Sequence, residues 1–435
     1  MRLFWYWCLL PHTALLSSAS FAAGSTATGD YSFDTTLLAV RPLDASASME
    51  FYPYLLFYNK ESPLYSLKSG AENRTYADIY NLKAEGYVQY QRKPFLAFAS
   101  GGVYGAYPRQ DDSLSRNAKL FEGYLKYMPS PSLSLLLGKR LFQWGKGYSF
   151  NPVAFAGRAK DLNNMDAALE GYWNVSFDYV KSFDSPVSSV AFTAVFLPVY
   201  GIINNNYPPD KTPAWLAQLY MLLADTDIDI CLFGDTGRNL KTGLDFSRNI
   251  IPDLEVHGEW AYLKSSNSTV FSNDSIMAAR SRPANNIVSG ARYLAPFNTT
   301  FILEYLHIGG GYSKDEMAGY WKAVDYATAS SEPRIIQSVL QADSKYFSSQ
   351  FIMTDYVFVK ATHPDPFNFV YFTPSIYAMA NILDRSMMAG IEMVYSRSRN
   401  LLLTGRYIAF LGNDESEYGS KPAQHRIELR AKWSF

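Results

Sequence analysis

The residues that could carry out catalysis are few and scattered along the chain. Beyond residue 22 the histidines are His257, His307, His363 and His425. None lies in a His-Glu-x-x-His metal motif, and no Gly-x-Ser-x-Gly nucleophile turn occurs. The two cysteines, Cys8 and Cys231, exclude a disulfide framework and a cysteine-rich zinc or iron–sulfur site. We therefore expect neither an enzyme nor a bound cofactor.

Three carboxylates alternate at Asp225, Asp227 and Asp229, and such oxygen ligands suit calcium or magnesium. Alternate residues of a strand lie about 6.5–7 Å apart, so a single ion reaches all three only if loops join them. A solvated rim or lumen face is the favoured interpretation, and a cation site is the alternative.

The composition favours β-strands and argues against a nucleic-acid-binding protein. Lys and Arg total 39 against 40 Asp and Glu, whereas a nucleic-acid-binding protein usually has a basic excess. Aromatic residues make up 16% of the chain, and the 33 tyrosines outnumber the 27 glycines. Aromatic and β-branched residues favour strands over helices.

Residues 1–22 have the pattern of a secretory signal peptide. Arg2 precedes an apolar run, and Ser20 and Ala22 supply the small residues that a signal peptidase requires. An uncleaved membrane anchor is the alternative, but Pro11 and His12 interrupt a run already short for a membrane span. We expect residues 23–47 to form a periplasmic lead-in and residues 48–435 to form one domain.

The last ten residues alternate strictly between apolar and polar side chains. A strand of this pattern presents one apolar face and one polar face. The apolar face carries Ile427, Leu429, Ala431, Trp433 and Phe435. Similar alternation recurs at 82–90, 169–179, 240–246, 254–262, 301–305 and 387–395, with turn residues between the runs.

Short turns separate some runs, whereas longer gaps lie near 143–167, 200–213, 264–285 and 310–349. Short turns at one end and long loops at the other are typical of outer-membrane barrels. The sequence therefore predicts an all-β fold, a closed antiparallel transmembrane β-barrel of about 16–18 strands. Helical spacing within 315–345 predicts a partly helical loop insertion, which either folds over or into the barrel or stays outside without a channel role.

If the apolar faces meet lipid, the interleaved charges face the lumen. The predicted lumen residues are Glu85, Arg140, Glu170, Asp178, Asp245, Glu255, Glu259, Glu304, Glu392 and Arg406. Because unpaired charges in a dry interior are costly, such a lumen is either filled with water or crossed by ion pairs.

The terminal strand resembles the assembly signal of Gram-negative outer-membrane β-barrel proteins of the porin-like class. That pattern has a terminal Phe, an aromatic residue two positions earlier and apolar residues at alternate positions, here supplied from Phe435 and Trp433 back to Ile427. The resemblance implies outer-membrane location, a lipid environment and delivery to the barrel-assembly machinery.

A second segment, from Leu137 to Gly147, is similar to a strand-to-loop segment of several porin-like families, some with polysaccharide-related or electron-conduit roles. Gly145 and Gly147 favour a tight loop, and we expect Trp144 near the membrane interface. A related pattern, with glycines at 309–311, runs from Glu304 to Tyr312.

Three functions remain open at the level of the sequence. The first is a porin-like channel for passive passage of small hydrophilic solutes. The second is a barrel sheath around a periplasmic multihaem cytochrome, since the chain itself has no haem-attachment motif. The third is export or surface assembly of a polysaccharide.

Overall fold

The computed structural model describes residues 42–69, 73–162, 169–184, 186–205, 212–237, 239–272, 276–330, 332–347 and 350–435. The expected signal peptide, residues 1–22, and most of the 23–47 lead-in lie outside these residues. The first strand begins at Leu43, ahead of the barrel start expected at residue 48.

The described residues form a closed sheet of 18 antiparallel strands, as the alternation predicts. The first strand, β1, has two segments, Leu43–Phe51 and Tyr54–Tyr58. The others are β2 Tyr76–Arg92, β3 Phe95–Pro108, β4 Ser115–Ser130, β5 Leu133–Arg140, β6 Tyr172–Ser182, β7 Val187–Leu197, β8 Ala214–Leu223, β9 Thr226–Asp235, β10 Leu240–Ile251, β11 Leu254–Ser272, β12 Ile276–Leu294, β13 Thr300–Ile308, β14 Asp355–Thr362, β15 Phe372–Asn381, β16 Met387–Tyr395, β17 Leu401–Leu411 and β18 Ala423–Ser434.

The barrel closes where β1 pairs with both β2 and β18. Met49 lies opposite Ala84 on one side and Trp433 on the other. The interruption in β1 falls at Tyr52 and Pro53, because proline has no backbone N–H to donate to the ladder. The Pro53 carbonyl still accepts from the Leu429 amide, so β1 and β18 remain joined across the break.

The two faces of the sheet have opposite chemistry. Large apolar side chains are exposed on the outer face, including Leu429 at 62% and Phe435 at 69%. The intervening side chains of the same strand, such as Glu428, are buried or half-buried on the inner face. This alternation along β18 is the one predicted for the terminal strand.

The connections differ between the two ends of the barrel. At the end that holds Leu43 and Ser434, the turns are mostly short, for example residues 93–94 and 252–253. At the other end lie the connections 59–75, 141–171, 309–354 and 412–422. By analogy with outer-membrane barrels, we call the first end periplasmic and the second end outer.

The expectation of a long loop at 264–285 is wrong. β11 and β12 run through it as a long hairpin, with strands of 19 residues each. A membrane crossing needs only about 9–11 residues. The outer part of this hairpin extends beyond the length of a membrane crossing, so its outward side chains meet water and not lipid. Its sequence therefore lacks the apolar alternation that marks the other strands.

The predicted helical insertion is present. It comprises α2 Lys314–Ser330, α3 Pro333–Ala342 and a π-helical turn, Asp343–Phe347. A further helix, α1 Pro63–Ser69, packs beside it. Among the described residues, no helix has the length and apolar character needed to cross a bilayer.

The insertion packs into the outer end of the lumen. Its buried residues Val324 and Phe347 belong to one apolar cluster with Tyr356, Met379 and Ile408. These last three side chains lie on the inner face of β14, β15 and β17, two residues from the buried Phe358, Tyr377 and Arg406. The outward side chains of the same strands, Val359, Ile376 and Tyr407, are exposed. Of the arrangements expected for 315–345, the structure has the one that folds into the barrel.

The glycines at 309–311 hold this insertion close to the β11–β12 hairpin. A Cβ on Gly309 would lie 2.5 Å from the backbone carbonyl oxygen of Asn285 in β12, so a larger residue does not fit unless the backbone moves. Arg280 and Arg282 of β12 donate to the carbonyl oxygen of Gly311 at 3.3 and 3.0 Å. The Glu304–Tyr312 pattern is thus explained by packing.

A buried carboxyl group fastens the outer loop 412–422 to the rim. Glu417 accepts hydrogen bonds from Tyr356 Oη at 2.6 Å and Asn381 Nδ2 at 2.7 Å. Burial raises the pKa of Glu417 from 4.5 to about 7, although these two hydrogen bonds and Lys421 act in the opposite direction. Below about pH 7, the uncharged form of Glu417 is therefore favoured in the folded rim.

This raised pKa predicts a pH-dependent rim. Between about pH 4.5 and 7 the folded state holds a proton on Glu417 that the unfolded loop releases, so rim stability falls as pH rises through that window, by at most about 3 kcal/mol. Hydrogen exchange of residues 412–422, corrected for intrinsic rates, will show more protection at pH 5 than at pH 8. The variant Glu417→Gln loses this difference, and Glu415→Gln, at an exposed position of the same loop, keeps it. Equal protection of the unmodified loop at both pH values contradicts the prediction.

Candidate functional site

One wall of the lumen carries a row of alternating charges on the inner faces of five neighbouring strands, β16, β17, β18, β1 and β2. In order around the wall, this charge row comprises Glu392, Arg406, Glu428, Arg430, Glu50, Lys83 and Glu85. Arg406 lies 3.2 Å from Glu392 and 3.7 Å from Glu428. Because each charge has an opposite neighbour, the row can line an aqueous lumen at low electrostatic cost.

The charge row includes three of the predicted lumen residues, Glu85, Glu392 and Arg406. Glu50 was missed, although it links Arg430 at 3.3 Å to Lys83 at 3.2 Å. Its signal was the alternation Met49, Glu50, Phe51, which is too short to identify a strand without knowledge of its partners.

Two more of the predicted lumen residues form an ion pair on the neighbouring wall. Arg140 of β5 contacts Asp178 of β6 at 3.0 Å, and Thr193 of β7 donates to the same carboxylate. Glu170 does not lie on a strand, because β6 begins at Tyr172. It pairs instead with Lys139 at 2.6 Å and Arg158 at 3.1 Å and fastens the end of the preceding loop.

An acidic row lies on β9, β10 and β11. Asp229, Asp245 and Glu259 are opposite one another in adjacent strands, and all three are almost fully buried. Glu304 of β13 and Glu255 of β11 extend this acidic surface. The sequence predicted four of these five residues as lumen-facing and placed Asp229 in the separate aspartate triplet.

The β5–β6 connection, residues 141–171, crosses the lumen to reach this acidic surface. We call it the lumen loop; residues 141–162 and 169–171 of it are described. The backbone N–H groups of Lys146 and Gly147 each donate to Glu259 Oε1 at 2.6 Å. The backbone N–H of Ser149 donates to Glu304 Oε2 at 2.8 Å. The Tyr148 N–H also donates to Glu304, so two strand carboxylates accept hydrogen bonds from four consecutive backbone N–H groups of the loop.

Lys146 adds a charge to this attachment. Its Nζ lies 2.8 Å from Asp229 Oδ2 and 3.9 Å from Asp245 Oδ1. Burial acts to lower the pKa of Lys146, but the charges of Asp229 and Asp245 outweigh it, and the pKa is raised above its usual value. The ammonium group therefore stays protonated and offsets part of the acidic row.

Glycine is required where the loop meets Glu259. Gly145 has φ of +94°, a conformation that residues with a Cβ rarely adopt. A Cβ there would also lie 2.8 Å from both Glu259 carboxylate oxygens. The glycine that suggested a tight loop in the sequence thus permits contact between backbone and carboxylate.

The expectation that Trp144 lies near the membrane interface is wrong. Trp144 is buried in an apolar cluster with Phe142, Val153 and Phe155 of the same loop. The cluster packs on inner-face residues of β6 to β9 and of β11, among them Phe233. The indole turns inward because its segment follows the lumen loop and does not continue the wall.

The aspartate triplet does not gather around one point. Asp225 is exposed in the turn before β9, Asp227 accepts from Tyr220 Oη, and Asp229 binds Lys146 and Gln218. Across the described ranges no group of three or more His, Cys, Asp or Glu side chains is arranged to hold a metal ion.

One serine, one glutamate and one histidine do meet inside the barrel. Ser149 Oγ donates to Glu304, and Glu304 Oε1 lies 3.0 Å from His257 Nε2. A hydrolytic triad requires histidine between serine and the acid, so that the imidazole can accept the serine proton. Here the carboxylate lies in the middle, and the arrangement serves to fasten the lumen loop. His307, His363 and His425 bond to Asp355, Thr299 and Tyr407 respectively.

Comparison with known proteins identifies the fold. No family model matches the chain, and no curated protein matches its sequence. Solved structures do match it, among them OccK5 (OpdH) of Pseudomonas aeruginosa, at 11% identity and a TM-score of 0.52, covering 90% of this chain and 98% of that chain.

Two further structures agree. OccAB4 of Acinetobacter baumannii is 9% identical with a TM-score of 0.52, covering 91% of this chain and 98% of its own. The outer membrane protein opdK of Pseudomonas aeruginosa is 8% identical with a TM-score of 0.50, covering 90% and 99% respectively. This chain therefore has the fold of a porin-like outer-membrane β-barrel, as its terminal strand predicts.

Proposed function

We propose that this protein is an outer-membrane channel for passive passage of small hydrophilic solutes, with the lumen loop as its constriction. The observation that supports this most is the attachment of that loop, by Glu259 and Glu304, across a lumen whose other wall is the charge row. Arg406 of the charge row also donates to the Leu162 carbonyl at 3.0 Å, so the loop reaches from the acidic surface to the charge row and narrows the lumen between them.

The apolar outer face supports the membrane location. Exposed side chains such as Leu125, Leu303 and Leu429 would be poorly solvated in water and are well solvated by hydrocarbon. We also propose delivery by the barrel-assembly machinery, supported by the outward direction of Ile427 and Trp433 on β18 and by the exposed Phe435 that follows the strand.

Neither alternative function has comparable support. A cytochrome sheath needs an empty lumen, but the lumen loop and the helical insertion both pack against the inner wall. The Trp144–Gly147 segment, which suggested polysaccharide handling, is explained by its attachment to Glu259.

Planar-bilayer recordings of the purified barrel test the channel proposal. We expect discrete conductance steps in KCl once the barrel has inserted. Heat-modifiable migration on a denaturing gel establishes that the same preparation is folded. A folded barrel without conductance would refute the channel function.

Release of the lumen loop should change the current. In Glu259→Ala the N–H groups of Lys146 and Gly147 lose their acceptor, and each hydrogen bond to a charged group contributes about 1.5–3 kcal/mol. We expect a noisier open state with larger excursions of single-channel current. Glu415→Ala, at an exposed position of an outer loop, is the control. Unchanged amplitude and noise in Glu259→Ala would show that this loop does not set the constriction.

Removal of the Lys146 ammonium group from the lumen loop should change the ion selectivity of the channel. In Lys146→Gln the acidic row gains one uncompensated negative charge, and a unit charge about 8 Å from the ion path at an effective dielectric constant of about 40 contributes about 1 kcal/mol. We expect a severalfold rise in the K⁺ over Cl⁻ permeability ratio, measured as reversal potential in a KCl gradient. Lys322→Gln, at an exposed position of α2, should leave the ratio unchanged. An unchanged ratio in Lys146→Gln would place the ion path away from the acidic row.

A further inference from the structure

The outer face of the barrel has a groove that the channel function does not use. It has a volume of about 750 Å³ and lies on β2 to β6. Its lining is almost entirely apolar and includes Tyr90, Ala99, Leu125 and Trp173. These side chains belong to the exposed apolar face, so the groove opens toward the bilayer.

The groove exists because small residues interrupt a bulky surface. Ala97 and Ala99 on β3 and Gly123 on β4 lie at its floor. Around them stand larger outward side chains, among them Leu125 at 65% and Leu137 at 63% exposure.

A turn after β7 overhangs the outer end of this groove. Ile203 and Pro198 contribute to its lining, and the backbones of Tyr200 and Ile203 bond to each other in a tight turn. At the tip, Tyr200 is 84% exposed and Ile202 is 90% exposed. The turn thus presents apolar side chains beside the wall that faces lipid.

Asn204 fixes the turn to the outer end of β6. Its Oδ1 accepts from the Trp173 backbone N–H at 2.9 Å, and its Nδ2 donates to the Trp173 carbonyl at 2.8 Å. The ladder between β6 and β7 ends at Val175, so Asn204 replaces the missing strand partner of Trp173. This attachment holds Ile203 against the groove.

We propose that the groove binds an acyl chain of a lipid in the outer leaflet, under the overhanging turn. A single hydrocarbon chain matches the apolar lining and the lateral opening toward the bilayer. A second copy of the barrel fits less well, because its convex wall cannot enter a groove bounded by Tyr90 and Trp173 and covered by Ile203. The turn lies at the outer end of the barrel, which selects the outer leaflet.

Native mass spectrometry of the full barrel, titrated with hexa-acylated lipid A in mild detergent, tests this proposal. The variant Ala99→Phe fills the groove, and Ala389→Phe makes the same change on the outer face of β16, away from it. We expect one retained lipid A in the unmodified barrel and in Ala389→Phe. In Ala99→Phe, retention should weaken by about tenfold, which corresponds to 1.4 kcal/mol. Ile203→Ser, which shortens the overhang, should weaken retention as well.

Three results would overturn the proposal. The first is equal retention by Ala99→Phe and Ala389→Phe. The second is unchanged retention of lipid A by Ile203→Ser, which would remove the overhanging turn from the binding site. The third is a dimer of the unmodified barrel that Ala99→Phe dissociates, which would assign the groove to a second copy. Conductance is recorded in parallel: we expect Ala99→Phe to conduct like the unmodified barrel, and a failure of conductance in all proteins would refute the channel while leaving the lipid result intact.

Discussion

The constraint on which this structure depends is that each strand separates two media. Inside hydrocarbon an unpaired backbone N–H or carbonyl group is costly, so the sheet must close on itself. Closure occurs through β1, which pairs with β2 and β18 even though Pro53 interrupts it. Once the sheet is closed, the period of two residues sends apolar side chains into lipid and polar ones into the lumen. The charges of the lumen are therefore a consequence of the same geometry that satisfies the membrane.

A polar lumen creates a second requirement, because carboxylates turned inward need partners. On one wall they find arginine and lysine side chains of adjacent strands, as Glu50 and Glu428 do. On the other wall, Glu259 and Glu304 find backbone N–H groups of the lumen loop. The loop has the matching need, since its N–H groups lie away from any sheet. The attachment gives the carboxylates and the loop N–H groups their hydrogen-bond partners. It brings the loop backbone so close to Glu259 that glycine fits at position 145 and a residue with a Cβ does not.

The parts of this fold that sequence could predict are those determined by local period. Alternation along 426–435 and 387–395 identified strands and their outward faces, and helical spacing identified the insertion at 315–345. The parts that it missed depend on distant partners. The outer half of the β11–β12 hairpin extends beyond a membrane crossing, so its outward side chains do not meet lipid. Its sequence therefore lacks the alternation of apolar and polar residues. Trp144 has the residue type of an interface anchor, and only the path of the lumen loop shows that it is buried inside.

The same limit applies to the lumen-facing residues. Their positions on the inner face follow from the local period, whereas their roles depend on distant partners. The period assigned Glu85, Glu259 and Glu304 to the inner face alike, because a strand pattern reports which face a side chain occupies. It does not report what lies opposite: Glu85 belongs to a row of ion pairs on the wall, whereas Glu259 and Glu304 hold a segment more than 100 positions earlier in the chain. All of these carboxylates add to the charge of the inner face, but only Glu259 and Glu304 also hold the lumen loop. The sequence alone cannot tell these two roles apart, because both kinds of carboxylate occupy the same position in the strand period.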